Sequence, residues 1–112
     1  MFERAFFVGE TYMSDEKIEQ AIRGKGLNAP RLTPESVEGV IVDEQYHVFD
    51  GSCLTVCALT LRNGFSVVGE SACASPENFD AEIGREIARI TAKEKIWMLE
   101  GYLLKERLSE AK

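Results

Sequence analysis

Two arginines four residues apart, Arg85 and Arg89, are the side chains in this sequence best suited to binding chemistry. In a helix, residues at positions i and i+4 lie on the same face. Their planar guanidinium groups suit bidentate binding of phosphate oxygens, and Gly84 would let a ligand or another backbone approach closely. The pattern also fits a simpler role, because Glu82 and Glu86 lie within one helical turn and could form exposed ion pairs with the arginines. The spacing therefore predicts either an anion site or a pair of surface salt bridges.

Asn78 and Phe65 extend this candidate site, although each also fits an ordinary structural role. Asn78 follows a Ser-Pro helix start and could either assist the cap or present its amide to a ligand. Phe65 could stack on a base or contribute to the hydrophobic core. The predicted ligand-binding residues are Phe65, Asn78, Arg85 and Arg89. Other cations on the same helix that could serve instead are Lys93, Lys95 and Arg107.

The sequence has no arrangement that indicates catalysis or metal binding. Its one histidine, His47, has no motif around it that would supply a nucleophile and an orienting group, so we predict a half-exposed strand residue. Cys53, Cys57 and Cys73 form no Cys-x-x-Cys pair and are expected to be reduced and to act as small apolar residues. Scattered thiols with one histidine are poor material for a metal site, and no phosphate-binding glycine loop is present. We therefore expect a protein that is not an enzyme and needs no cofactor.

The chain has 112 residues, of which 19 are acidic and 13 basic, for a formal net charge of -6. This balance argues against binding to a nucleic acid polymer, which requires a basic face, whereas a local group of arginines can still attract a small anion. The first ten residues are too few and too acidic for a signal peptide, and no apolar run reaches the length of a membrane span. We expect a single domain, residues 1–112, in a soluble cytoplasmic protein with no membrane partner.

Local signals predict a three-stranded antiparallel meander. Asn63-Gly64 is the strongest hairpin signal, and Gly69 indicates a bulge or a point of close backbone approach. The middle segment carries apolar residues on both faces, so we expect both faces to be covered. The three segments with strand character are 40–49, 53–62 and 65–74.

Helices are predicted before and after the meander along the chain, which makes the fold class α+β. A short N-terminal helix is capped by Ser14 and stops at Gly24. Thr33-Pro34 starts a helical turn, and Ser75-Pro76 starts one long C-terminal helix that continues to about residue 108.

The long helix has two apolar sides, and its own sheet can cover only one of them. We therefore expect the other side to pack against another subunit, so that the protein forms a homodimer or a higher homo-oligomer through this helix. One side contains Phe79, Ile83, Ile87, Ile90, Trp97 and Leu104, and the other contains Ala81, Ala88, Ala92, Ile96, Leu99 and Leu103.

Five motifs together resemble the small phage protein family named after gene products forty-nine and sixty-six of two bacteriophages. The joint occurrence of the motifs is more specific than any one of them, and the resemblance covers nearly the whole chain from about Ser14 onward. The motifs are NAPRLTP at 28–34, LRNGF at 61–65, VGESAC at 68–73, SPENFD at 75–80 and IWMLEGYLL at 96–104.

That family in turn resembles the first type of Thoeris anti-defence protein, and this resemblance implies a function. Those proteins are sponges that bind cyclic ADP-ribose isomers made by bacterial TIR proteins without cleaving them. The resemblance implies a phage protein in the host cytoplasm. A dimer-interface pocket lined by the residues found above, Phe65, Asn78, Arg85 and Arg89, could bind the base, ribose and pyrophosphate of such a ligand. The alternative is a non-enzymatic interaction or inhibitor module that acts on a host protein. A phosphodiesterase-like enzyme is disfavoured by the missing catalytic groups.

Overall fold

The computed structural model describes residues 15–27 and 29–111. It confirms the predicted α+β fold, with three antiparallel strands, a short N-terminal helix and a long C-terminal helix. The predicted cap Ser14, Asn28 of the connector and the first ten residues lie outside the described residues. In chain order the elements are α1 (Asp15–Gly24), α2 (Pro34–Glu38), β1 (Ile41–Val48), β2 (Thr55–Leu61), β3 (Ser66–Ser71), a 3-10 turn (Pro76–Asn78) and α3 (Ala81–Glu110).

The sheet is a meander in the order β1-β2-β3, with both neighbouring pairs antiparallel. The predicted Asn-Gly hairpin is confirmed, since Gly64 has φ +90°. In this turn the Leu61 amide donates to the Phe65 carbonyl and the Gly64 amide to the Leu61 carbonyl, each at 2.8 Å. The Asn63 side chain accepts a further bond from the Phe65 amide at 3.0 Å. The turn therefore determines where Phe65 leaves the sheet.

α3 covers one face of the sheet. It buries one residue in each helical turn against that face. Residues of β2 alternate between buried and half-buried, so one face of this strand is fully buried and the other face is half-buried. The described part of the chain has no helix with both the length and the apolar character needed to cross a membrane. The buried residues of α3 are Gly84, Ala88, Ala92 and Ile96, and the core also contains Val37, Val40, Cys57, Leu59, Leu61 and Val67.

Gly69 is the point where α3 lies closest to the sheet, as its position in the strand pattern predicts. A Cβ atom at this glycine would lie 2.2 Å from the Ala88 carbonyl oxygen and 2.2 Å from the Ala92 amide nitrogen. The two alanines and the glycine together let helix backbone and strand backbone come into contact.

The start of the long helix differs from the prediction. Ser75 makes no capping hydrogen bond, and Pro76 starts a separate 3-10 turn of three residues. The α-helix begins at Ala81, because the Asp80 carboxylate caps it by accepting from the Ile83 amide at 3.0 Å. The earlier Thr33-Pro34 signal is confirmed, with a reciprocal capping box between Thr33 and Ser36.

Candidate functional site

Arg89, one of the predicted phosphate ligands, is held by two carboxylates from other elements. Its Nε donates to Glu44 of β1 at 2.8 Å, and its two Nη atoms donate to both oxygens of Glu38 of α2, at 2.8 and 2.9 Å. Lys93, one turn later, lies 2.7 Å from the same Glu38 carboxylate. We call these four side chains the Arg89 network. It ties α2 and β1 to α3, whereas the expected ion-pair partners of Arg89 were Glu82 and Glu86 on the same helix.

Charge pairing in the Arg89 network lowers the pKa of Glu38 to about 2. The main cause is the pair of hydrogen bonds from Arg89, which outweighs the opposing effect of partial burial, and Lys93 lowers the pKa further. The same bonds raise the pKa of Arg89, so its guanidinium stays charged. Any phosphate that binds Arg89 must therefore compete with two carboxylates already in place.

Glu38→Gln is expected to destabilise the protein at neutral pH and to have little effect in strong acid. A carboxylate whose folded pKa is lowered from 4.5 to about 2 contributes stability above pH 4.5 and loses it as the pH falls through about 2. Because the network is partly exposed, the expected loss at neutral pH is only about 1 kcal/mol after solvent screening. Urea unfolding of both proteins across this pH range measures it. Glu35→Gln, on α2 but outside the network, is the matched control, and a Glu38→Gln deficit that does not change with pH would contradict the assignment.

Arg85 has the same orientation as Arg89, one helical turn earlier, but a different environment. Its side chain is exposed, and no ion pair joins it to another of the residues that the structure describes. It is therefore the predicted arginine that is available to an external anion.

Asn78 ends the 3-10 turn that comes before α3, and it lies beside a small cavity. This cavity has a volume of about 30 Å³, which is room for a water molecule and far less than a nucleotide needs. It is lined by Cys53, Ser71, Ala72, Cys73, Asn78, Phe79, Asp80, Ile83, Gly84 and Ile87.

Phe65 lies in a larger depression, the Phe65 groove, between the hairpin and the C-terminal half of α3. The groove has a volume of about 280 Å³. Its two aromatic rings are well exposed, Phe65 by 55% and Tyr102 by 72%. Arg62 and Asn63, beside Phe65 in the hairpin, supply a cation and an amide. The groove is lined by Val40, Leu61, Arg62, Asn63, Phe65, Leu99, Glu100, Tyr102 and Leu103.

The four predicted ligand residues do not meet within one chain. Ile83 borders the Asn78 cavity and Leu99 borders the Phe65 groove, and at about 1.5 Å per residue they lie roughly 24 Å apart along α3. A pocket shared by these four residues would therefore require a second subunit, as in the expected dimer-interface pocket.

Two residues of the groove, Arg62 and Tyr102, were not singled out in the sequence. Arg62 adjoins the Asn-Gly turn, and Tyr102 follows Leu99 by three residues, so on a helix the two lie on one face. Each position could therefore have been found from a pattern of neighbouring residues. His47, by contrast, is exposed in β1 and meets Phe49 edge to face, with 4.5 Å between ring centroids. Across the described ranges, no three His, Cys, Asp or Glu side chains converge in a way that could hold a metal ion.

Comparison with known proteins identifies a family. No curated protein and no solved structure matches the chain. A family model matches residues 32–108, which is well over half of the sequence and includes β1, β2, β3 and nearly all of α3. This chain therefore belongs to the phage protein (N4 Gp49/phage Sf6 gene 66) family.

Proposed function

We propose that this protein binds and sequesters a small anionic nucleotide-type ligand, a cyclic ADP-ribose isomer, without cleaving it. The observation that carries the proposal is the Phe65 groove, where two exposed aromatic rings lie in the same depression as a cation and an amide. An adenine can stack on Phe65 or Tyr102, because every base has a flat face that aromatic side chains accept. The Arg62 guanidinium suits a pyrophosphate. Asn63 uses its carbonyl oxygen in the turn, which leaves its NH2 group to donate to a ribose or base.

The choice of ligand rests on resemblance. The chain belongs to a phage protein family. The sequence motifs of that family resemble the Thoeris anti-defence sponges, which bind cyclic ADP-ribose isomers, and this resemblance supports the choice of ligand. Sequestration requires tight binding and no catalytic group, which suits a groove built from aromatic, amide and guanidinium side chains. The place of action in this proposal is the host cytoplasm during infection.

A second subunit completes the site in this proposal. Asn78 lies just before α3, Arg85 and Arg89 lie along its first half, and the Phe65 groove lies along its second half. Apolar residues along this length of α3 are exposed, which supports packing of α3 against another copy. They are Ile83 at 46%, Ile90 at 46%, Met98 at 74% and Tyr102 at 72%.

Calorimetry with individual cyclic ADP-ribose isomers, followed by heat release of the bound ligand, tests the proposal. We expect saturable binding and recovery of intact ligand after the protein is denatured. Degraded ligand would show that the protein is an enzyme, and no heat with no depletion of ligand would refute the sponge. Light scattering on the same sample is expected to give at least a dimer, and a monomer at micromolar concentration would contradict the completed pocket.

A non-enzymatic interaction or inhibitor module is the second candidate, favoured by the exposed apolar side of α3. In that case a host protein would cover Met98 and Tyr102 instead of a second copy. Loss of a host-protein interaction in Met98→Glu, with the oligomeric mass and the small-ligand titration both unchanged, would favour this alternative.

A further inference from the structure

The face of the sheet that points away from α3 carries apolar residues along its centre. Cross-strand partners share a face, so the register places Val56, Ala58 and Val68 together on this side. Val56 and Ala58 are half-buried, and Val68 is 40% exposed. We call this surface the open sheet face. It is formed by every second residue of the three strands, over the ranges 43–47, 56–60 and 66–70.

Two unpaired polar side chains lie on either side of Val56 on the open sheet face. His47 of β1 and Glu70 of β3 are both register partners of Val56. Neighbouring strands are about 4.8 Å apart, so the backbones of His47 and Glu70 lie roughly 10 Å from each other. Both residues are exposed, and neither side chain makes a hydrogen bond or an ion pair with another residue that the structure describes. This part of the chain therefore presents an imidazole and a carboxylate that it leaves unpaired.

A second copy of the chain, related by a two-fold axis parallel to the strands, brings these groups together. The rotation exchanges the two edges of the sheet, so β2 lies over the partner's β2 and β1 lies over the partner's β3. His47 then faces Glu70 of the partner subunit, and Glu70 faces the partner's His47. Packed sheets lie about 10 Å apart, a distance that an imidazole side chain and a carboxylate side chain can span between them.

An axis across the strands fits the side chains less well. It would bring His47 to the partner's Asp43 and Glu70 to the partner's Ser66. Asp43 already accepts a hydrogen bond from the Gln45 side chain at 3.1 Å, whereas Glu70 has no such bond within the described ranges. The axis parallel to the strands therefore joins the two side chains that lack a partner.

We propose that the open sheet face binds a second copy of this chain, with β2 packed on the partner's β2 and His47 hydrogen-bonded to the partner's Glu70. The arrangement has the apolar centre and polar rim of a protein interface. α3 covers the opposite face of the sheet, so this contact is separate from the α3 packing proposed for the ligand site and does not depend on the ligand. A chain that uses both contacts forms a dimer of dimers.

The small size of the open sheet face sets the expected strength of the contact. Three strands about 4.8 Å apart and three rows of residues about 6.8 Å apart give a face of roughly 14 by 20 Å on each copy. Interfaces of this size lie at the weak end of specific protein association. We therefore expect a complex that dissociates on dilution through the micromolar range.

Sedimentation velocity of the whole chain, diluted through this range, tests the proposal. His47→Glu places a carboxylate opposite the partner's Glu70 at both symmetric positions, so it is expected to dissociate at a concentration about tenfold higher or more. Labelled His47→Glu is expected to associate again when unlabelled Glu70→Lys is added. In that mixed complex the new carboxylate faces the new ammonium, and the unchanged His47 of one chain faces the unchanged Glu70 of the other.

Gln20→Glu is the matched control, because it adds a carboxylate at an exposed position of α1, outside the open sheet face. It should sediment like the unsubstituted chain. The proposal is overturned if His47→Glu, with an unchanged Tm, also sediments like the unsubstituted chain at every concentration. It is overturned too if Asp43→Lys restores the association of His47→Glu and Glu70→Lys does not, because the axis would then cross the strands.

Glu70→Gln supplies the same test if His47→Glu lowers the Tm. It removes the carboxylate and keeps the shape of the side chain, so it is expected to weaken the association without changing the fold. Unchanged association in Glu70→Gln would overturn the proposed pairing and leave the open sheet face to a different partner.

Discussion

Gly69→Ala is expected to destabilise the protein by about 3 kcal/mol or more, a large part of the total stability of a small domain. The new methyl group would lie 2.2 Å from the Ala88 carbonyl oxygen, 2.2 Å from the Ala92 amide nitrogen and 2.8 Å from the Ala92 Cα. All three are backbone atoms of α3, so no side-chain rotation can relieve the overlap. The helix must move away from β3, which opens the core along its buried row. Urea unfolding, or loss of the cooperative thermal transition, measures the effect.

Gly101→Ala is the matched control, because it adds the same methyl group to a glycine in α3 that has room for it. The nearest atom outside the local helix backbone is Leu32 Cδ1 at 3.8 Å, an ordinary contact. Alanine favours helix over glycine, so this variant should gain about 0.5 to 1 kcal/mol. If both variants changed stability by similar small amounts, the close contact between α3 and β3 would be wrong.

Replacing Arg62 and Phe65 together by alanine is expected to lower the affinity for the proposed ligand, a cyclic ADP-ribose isomer, by about 100-fold or more. Loss of a stacked aromatic ring costs about 1 to 3 kcal/mol, and loss of a charge-assisted hydrogen bond costs about 1.5 to 3 kcal/mol. Since about 1.4 kcal/mol corresponds to a factor of ten, a combined loss of about 3 kcal/mol, near the lower end of these ranges, gives about 100-fold. Both side chains are exposed, so the fold should tolerate the change. Calorimetric titration of the variant and the unsubstituted protein measures the difference.

Phe49→Ala is the control for general loss of an exposed aromatic residue. Phe49 is 45% exposed and lies outside the Phe65 groove, so its loss should leave the affinity unchanged. Equal losses of affinity in Phe49→Ala and in the Arg62 and Phe65 variant would show that the groove is not the ligand site. Unchanged affinity in the groove variant would lead to the same conclusion.

In the same titration, Arg85 and Arg89 should be substituted one at a time. Arg89→Glu would place a third carboxylate beside Glu38 and Glu44, so the fold and the ligand site would be disturbed together. Arg85→Glu changes only an exposed side chain. We expect it to weaken binding if the second subunit supplies Arg85 to the groove, and unchanged affinity would remove Arg85 from the site.

Much of the fold could be predicted because its signals are short. The Asn63-Gly64 turn and the Thr33-Pro34 cap depend on a few neighbouring residues and formed as expected. The predicted start of α3 was wrong. Ser75-Pro76 has the residue types of a helix cap, but the Asp80 side chain makes the capping hydrogen bond.

The sequence by itself determined the order of strands and helices, the hairpin at Asn63-Gly64 and the shared face of Arg85 and Arg89. Each of these depends on periodicity or on turn chemistry over a few residues. Only the tertiary structure decided the environments of the two arginines. The partners of Arg89 lie 45 and 51 residues away in the chain, so no local pattern could show that it joins elements while Arg85 stays available. The Phe65 groove likewise exists only because packing brings the hairpin against the second half of α3.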